Sequence, residues 1–141
     1  MLRTTLLKSE KGQSMVEFAL LLPILILILL MIIEGGLIFG GYLELQNAAR
    51  DGARYASVHT DKQDQTSINT YITGKNFIIV DKSNLVQPIG FTKTTSAQGT
   101  VLTVTLTYKY PIITPIIGGI IGDEDDESKL TVITSATMRG E

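Results

Sequence analysis

Catalysis needs groups that attack, exchange protons or hold a metal, and this chain offers few such groups in combination. His59 is the only histidine and there is no cysteine, which removes His/Cys triads and multi-histidine metal sites. Serines and aspartates occur, but nothing places one in a nucleophile elbow. Glycines come as GG pairs, never as GxGxxG or a phosphate-cradling loop. Asp123-Glu124-Asp125-Asp126-Glu127 gathers five of the fourteen acids. It lacks the spaced Asp-x-Asn-x-Asp-Gly of a dedicated calcium loop, so loose calcium binding and a solvated turn are its two readings, the turn being the simpler. The remaining acids fall in turns and on helix flanks, where a paired general acid and base is not expected. His59 reads as a surface or capping residue. The chain is therefore read as a non-enzyme, with no catalytic residue, no metal and no cofactor.

One acid is out of place. The segment KGQSMVEF puts Glu17 at the lip of an apolar run, where a charge is costly. Phe18 to Ile33 is sixteen uncharged residues, mostly Leu and Ile, and Phe18 to Leu43 is 26 residues with only Glu34 charged inside. About 20 helical residues cross the hydrocarbon layer, and a lone segment there must be helical to satisfy its backbone. A transmembrane helix is expected over about 18–41, with a kink or local opening at Pro23. Arg3, Lys8 and Lys11 precede the segment, and no Lys or Arg follows until Arg50. The positive-inside rule then puts the N-terminus in the cytoplasm and the bulk of the chain outside. A removable secretory signal is the competing reading, but the apolar core is long and no clean small-x-small exit precedes Glu44. Basic residues form no stripe interleaved with aromatics, so membrane lipid is an expected partner and nucleic acid is not.

Helical periodicity continues beyond the apolar run. Leu45, Ala48, Ala49, Gly52, Ala53 and Ala56 share one face. Such small residues, Ala48, Ala49, Gly52, Ala53 and Ala56 above all, permit close helix packing, and Gly52 in a helix interior asks for a compensating contact. Two partners are open: another helix, or this chain's own domain core. A helix from about Met15 to Val58 is roughly 66 Å long at about 1.5 Å per residue, more than a bilayer crossing needs.

The rest reads as a small α+β domain. His59 to Gln65 is a polar turn, and Ile68, Tyr71 and Ile72 share the face of a short helix ending near Gly74. Leu85 to Thr94 reads as a strand with an edge or bulge at Pro88. GTVLTVTLTYKY alternates strictly, with Leu102, Val104, Leu106, Tyr108 and Tyr110 on one face. LTVITSATM repeats the pattern through Leu130, Val132, Thr134, Ala136 and Met138, and antiparallel pairing of the two is expected. Between them PIITPIIGGIIG carries six Ile in twelve residues, yet its Pro and Gly content argues against a regular helix. It has three possible uses: folding over the domain core, touching the membrane surface, or touching a neighbouring subunit.

KGQSMVEFALLLPILILILLMIIEGG, LQNAARDGARYAS, LTVTLTYKYPIITPIIG and LTVITSATMRGE together resemble the TadE-like family of minor pilins and pseudopilins, of the tight-adherence, Flp-type pilus systems. The resemblance touches most of the chain apart from its middle, and its first two motifs together are the specific part. It implies a pilin-like fold, a long N-terminal transmembrane helix packed on a small, mostly antiparallel sheet. It also implies a leader at 1–12, cut by a prepilin peptidase after Gly12, so that Gln13 becomes the first mature residue and Glu17 the fifth. Met15 departs mildly from the Ala often found there. On this reading 13–58 is the long helix and 59–141 the extracytoplasmic α+β domain. Glu17, with Phe18, serves subunit assembly by meeting a freed N-terminal amine. The implied partners are the prepilin peptidase, other pilin or pseudopilin subunits and the pilus assembly platform. The implied role is a minor pilin-like component that assembles or decorates an adhesion pilus, single-pass in the inner or cytoplasmic membrane, with the pilus or cell surface as a further destination. The alternative is a membrane-anchored envelope adhesion or binding protein that never enters a filament.

Overall fold

The computed structural model describes residues 10–140. Most of the expected leader, with Arg3 and Lys8, lies outside the described residues. Helix α1 runs from Glu10 to Val58 and passes through Pro23 without an assigned break. Pro23 lacks an N–H and so removes one hydrogen bond from the helix ladder; the apolar residues around it continue the helix on both sides. The chain divides into two compact units between Ile33 and Glu34.

In the first unit the side chains from Gly12 to Ile33 are exposed except for a half-buried Leu27. Leu20, Leu21, Ile24, Leu25, Ile28 and Leu29 all stand open. A helix this apolar with no protein cover is a membrane-spanning element, since lipid is the solvent that tolerates it.

The second unit holds the rest of α1 and the remaining elements. A 3₁₀ turn at Thr60–Lys62 leads to α2, Gln65–Thr73. Asp64 caps α2 by accepting the Ser67 N–H at 2.8 Å, satisfying one of its orphan donors. Strands β1 (Gly90–Ser96), β2 (Gly99–Pro111) and β3 (Lys129–Gly140) form one antiparallel sheet in the order β1-β2-β3. The expected antiparallel partners pair with Leu102 opposite Met138, Val104 opposite Ala136 and Tyr108 opposite Val132. Their alternation turns Leu102, Val104, Leu106, Tyr108 and Tyr110 into the core, where each is buried.

The small-residue face of α1 lies in that same core. Leu45, Ala48, Ala49, Ala53 and Ala56 are buried with Ile68 and Ile72 of α2. A Cβ on Gly52 would stand 2.8 Å from Ile72 Cδ1 and 3.5 Å from Val104 Cγ1, so the missing side chain lets helix, helix and sheet close together. Of the two open partners, this chain's own domain occupies the face.

Two local expectations change. The strand expected from Leu85 starts at Gly90; Leu85 makes only an isolated bridge to Tyr108, and Pro88, which donates no ladder hydrogen bond, lies between them. PIITPIIGGIIG contains a helix after all, α3 at Pro115–Ile121. Pro115 sits in its first turn, where a missing N–H costs little. Gly118 and Gly122 face the backbone carbonyl of Glu127 so closely that no Cβ would fit. The residues that argued against a helix are those that start it and let it dock.

Candidate functional site

At the N-terminal end the residues expected to be cut and to assemble all lie on α1. Gly12, Gln13, Glu17 and Phe18 are helical and exposed, Phe18 at 61 %. Gln13 Nε2 donates to Glu17 Oε1 at 3.2 Å, a contact across one turn of the same helix. The Glu17 carboxylate thus remains on the surface, open to a partner from another chain. Phe18 adds an apolar surface beside it.

Glu34 is used quite differently. Its side chain is 3 % exposed, and its carboxylate accepts the Ile113 N–H at 2.6 Å and the Thr114 N–H at 3.2 Å. Both donors lie just before α3, so the acid that interrupts the apolar run binds the apolar loop seventy-nine residues later in the chain. Buried polar groups need partners, and here each side supplies what the other lacks. Tyr110 stands beside this pair; burial, then the charges of Glu34 and Tyr108, hold its phenol above the usual range.

Glu44 repeats the device farther along α1. Its carboxylate accepts the N–H groups of Ile78 at 2.6 Å, Ile79 at 2.9 Å and Val80 at 3.0 Å. Burial alone would raise its pKa, but the three donors together outweigh burial and hold it below the ordinary carboxylate value. The segment 77–80, whose sequence suits either an extension of α2 or the start of a strand, is neither: it bends at Ile78 and Ile79 and is held to α1 by this acid. Ile79 closes on Gly40, where a Cβ would meet its Cδ1 at 2.7 Å. Sequence reasoning missed both loop anchors. The available signal was an acid breaking an apolar or small-residue helix face; neither loop could be named from it.

The other candidates resolve into local structure. His59 Nδ1 lies 3.0 Å from the Tyr55 carbonyl, and the Tyr55 ring stacks on both His59 and Tyr71. In the acid run, Asp123 accepts the Thr131 N–H and hydroxyl. Asp126 accepts from Ser128 and from Lys129 Nζ at 2.8 Å, and these donors, Lys129 first, hold its pKa at about 2. The run is a folded turn in which Asp123 and Asp126 already have donors. Among the described residues no three His, Asp or Glu side chains converge on a point that could hold a metal ion.

Comparison with known proteins adds one finding. The family model described as TadE-like protein matches residues 12–54, from Gly12 through the membrane-spanning run and into the small-residue face. That stretch of the chain is similar to this family. No curated protein and no solved structure matches the chain.

Proposed function

We propose that this chain is a non-enzymatic, minor pilin-like component that helps assemble or decorate a Tad-type, Flp-type adhesion pilus, made as a precursor and cut after Gly12 by a prepilin peptidase. The observation that carries the reading is the TadE-like match over residues 12–54, together with an exposed apolar helix able to span a membrane. The N-terminus lies in the cytoplasm and the sheet domain outside, as the flanking charges favour. After cleavage the helix stays with the mature chain, and the exposed Glu17 meets an N-terminal amine of its own or a neighbouring subunit. A charge pair near hydrocarbon is less costly than either charge alone. Other pilin or pseudopilin subunits and the assembly platform are the partners this requires.

The test is the N-terminal residue of the protein isolated from its native host, with and without the prepilin peptidase. The expected mature start is Gln13, and only when the peptidase is present. A Met1 start in both strains, or a start beyond Ile33, refutes processing. Glu17→Ala is expected to be cut normally and to lower the number of pili recovered by shearing. Normal pilus number in that variant refutes its assembly role. Recovery of the protein solely in membranes, with unaffected pili in a deletion strain, favours the envelope adhesion protein instead.

A further inference from the structure

Helix α3 and the loop before it present an apolar surface that the domain itself leaves open. Ile116 and Ile120 lie one turn apart on α3, 59 % and 70 % exposed, and Ile113 just upstream is 73 % exposed. Ile117 turns the other way and is buried. No charged residue occurs from Pro111 to Gly122, and the acid run begins immediately after it. Exposed apolar surface of this kind marks a contact with lipid or protein, and its attachment point indicates which.

Ile113 and Thr114 are hydrogen-bonded to Glu34, and Glu34 is the residue directly after the apolar run. The run between Glu17 and Glu34 holds sixteen residues. At about 1.5 Å per residue they cover roughly 24 Å, against about 30 Å of hydrocarbon, so at least one of the two acids must sit at or inside the boundary. Glu17 is exposed, with the Gln13 side chain as its hydrogen-bond donor. Glu34 is enclosed, with two backbone N–H donors in place. Glu34 is thus the acid prepared for low dielectric, and whatever is tied to it lies at the same depth.

We infer that the exposed Ile113, Ile116 and Ile120 surface is a second membrane contact, seated in the lipid bilayer at the boundary between headgroups and acyl chains. α3 then acts as an interfacial collar at that boundary, and the acid run after Gly122 stays in water. Amphipathic helices that lie in this interface bury their apolar face about 5–10 Å into it. The inference rests on the membrane-anchored reading of α1, and the experiment separates the two.

The chain has no tryptophan, so one introduced Trp is a unique reporter. The full chain carrying Ile120→Trp is reconstituted in phosphatidylcholine–phosphatidylglycerol vesicles, with or without lipid brominated on the acyl chain near the headgroup. Ile116→Trp repeats the measurement on the same face, Leu29→Trp marks the span, and Ile133→Trp on β3, 62 % exposed, marks the water-facing sheet. Trp at 120 and 116 is expected to emit at shorter wavelength than Trp at 133 and to lose most of its intensity to the brominated lipid, while Trp at 133 loses almost none. Red-shifted, unquenched emission at 116 and 120 overturns the collar, leaving the span intact if Trp at 29 is quenched. Blue-shifted emission that bromine does not quench, and that shifts red on dilution with lipid, assigns the face to a second copy and also overturns it. Equal quenching at 133 overturns it by laying the whole domain on the bilayer. An unquenched Trp at 29 overturns the span and the collar together.

Discussion

At the scale of single residues, the acids of α1 are distinguished by their donors. Glu17 keeps its carboxylate on the surface, whereas Glu34 and Glu44 spend theirs on backbone N–H groups from distant loops. Glu44 makes this testable through pH. Its pKa in the folded chain lies below the ordinary 4.5, so between those two values the unfolded state binds more protons and folding stability rises with pH. The contribution is fully present above pH 4.5 and disappears as pH falls through the depressed folded value. Glu44→Gln keeps one acceptor oxygen but no charge. It is expected to lower stability near neutral pH by about 1 kcal/mol, below the roughly 1.5–3 kcal/mol of bonds to a charged group because water reaches this site. It is also expected to flatten the acid limb of the stability profile relative to wild type, measured by denaturant unfolding in detergent. Asp126, held at about 2 by Lys129 and Ser128, keeps its charge to lower pH and leaves an acid-sensitive remainder in both proteins. An unchanged acid limb in Glu44→Gln would show that its hydrogen bonds do not favour the charged form.

At the scale of elements, legibility followed the range of the forces involved. The inward face of β2 was readable because alternation is local, and its pairing with β3 followed from a second run of the same period. The continuation of α1 beyond the membrane was readable from its small-residue stripe, but the occupant of that stripe was not, since any close partner suits such a surface. Helix α3 was obscured because Pro115 and its glycines lower helix propensity, while the Glu127 carbonyl that Gly118 and Gly122 accommodate lies beyond the window in which propensity acts. The Glu34 and Glu44 anchors were out of reach for the same reason, because hydrogen bonds between distant segments leave no periodic trace. Gly52 isolates the close packing. Gly52→Leu places new carbons where a Cβ already meets Ile72 and Val104. Overpacking of this kind costs about 1–3 kcal/mol and exceeds the better helix propensity of Leu, so a net loss of about 1–2 kcal/mol is expected. Gly36→Ala, with nothing within 4 Å of the added Cβ, is expected to lose nothing. Equal thermal midpoints for the two variants would refute close packing at Gly52.

At the scale of the whole molecule, the two compact units assign α1 two tasks. Its first part is an open apolar helix suited to lipid, and its later part supplies one wall of the domain core. Every buried core residue from Leu45 to Ile117 lies beyond the division between Ile33 and Glu34. Residues 34–141 are therefore expected to fold without the span, showing one cooperative thermal transition and amide protection along β2. Mild detergent should keep this fragment monomeric, since it still carries the open Ile113, Ile116 and Ile120 surface. A fragment cut at the end of α1, residues 59–141, loses Leu45, Ala48, Ala49, Ala53 and Ala56 from the core and leaves Ile68, Ile72, Val104 and their neighbours facing solvent. It is expected to lack both the transition and the protection. The place where a folding unit begins is then the acid that closes the apolar run, and the end of the long helix is an internal feature of that unit. Folding of 59–141 with the same β2 protection would reverse this, making the later part of α1 a cover laid on a finished domain.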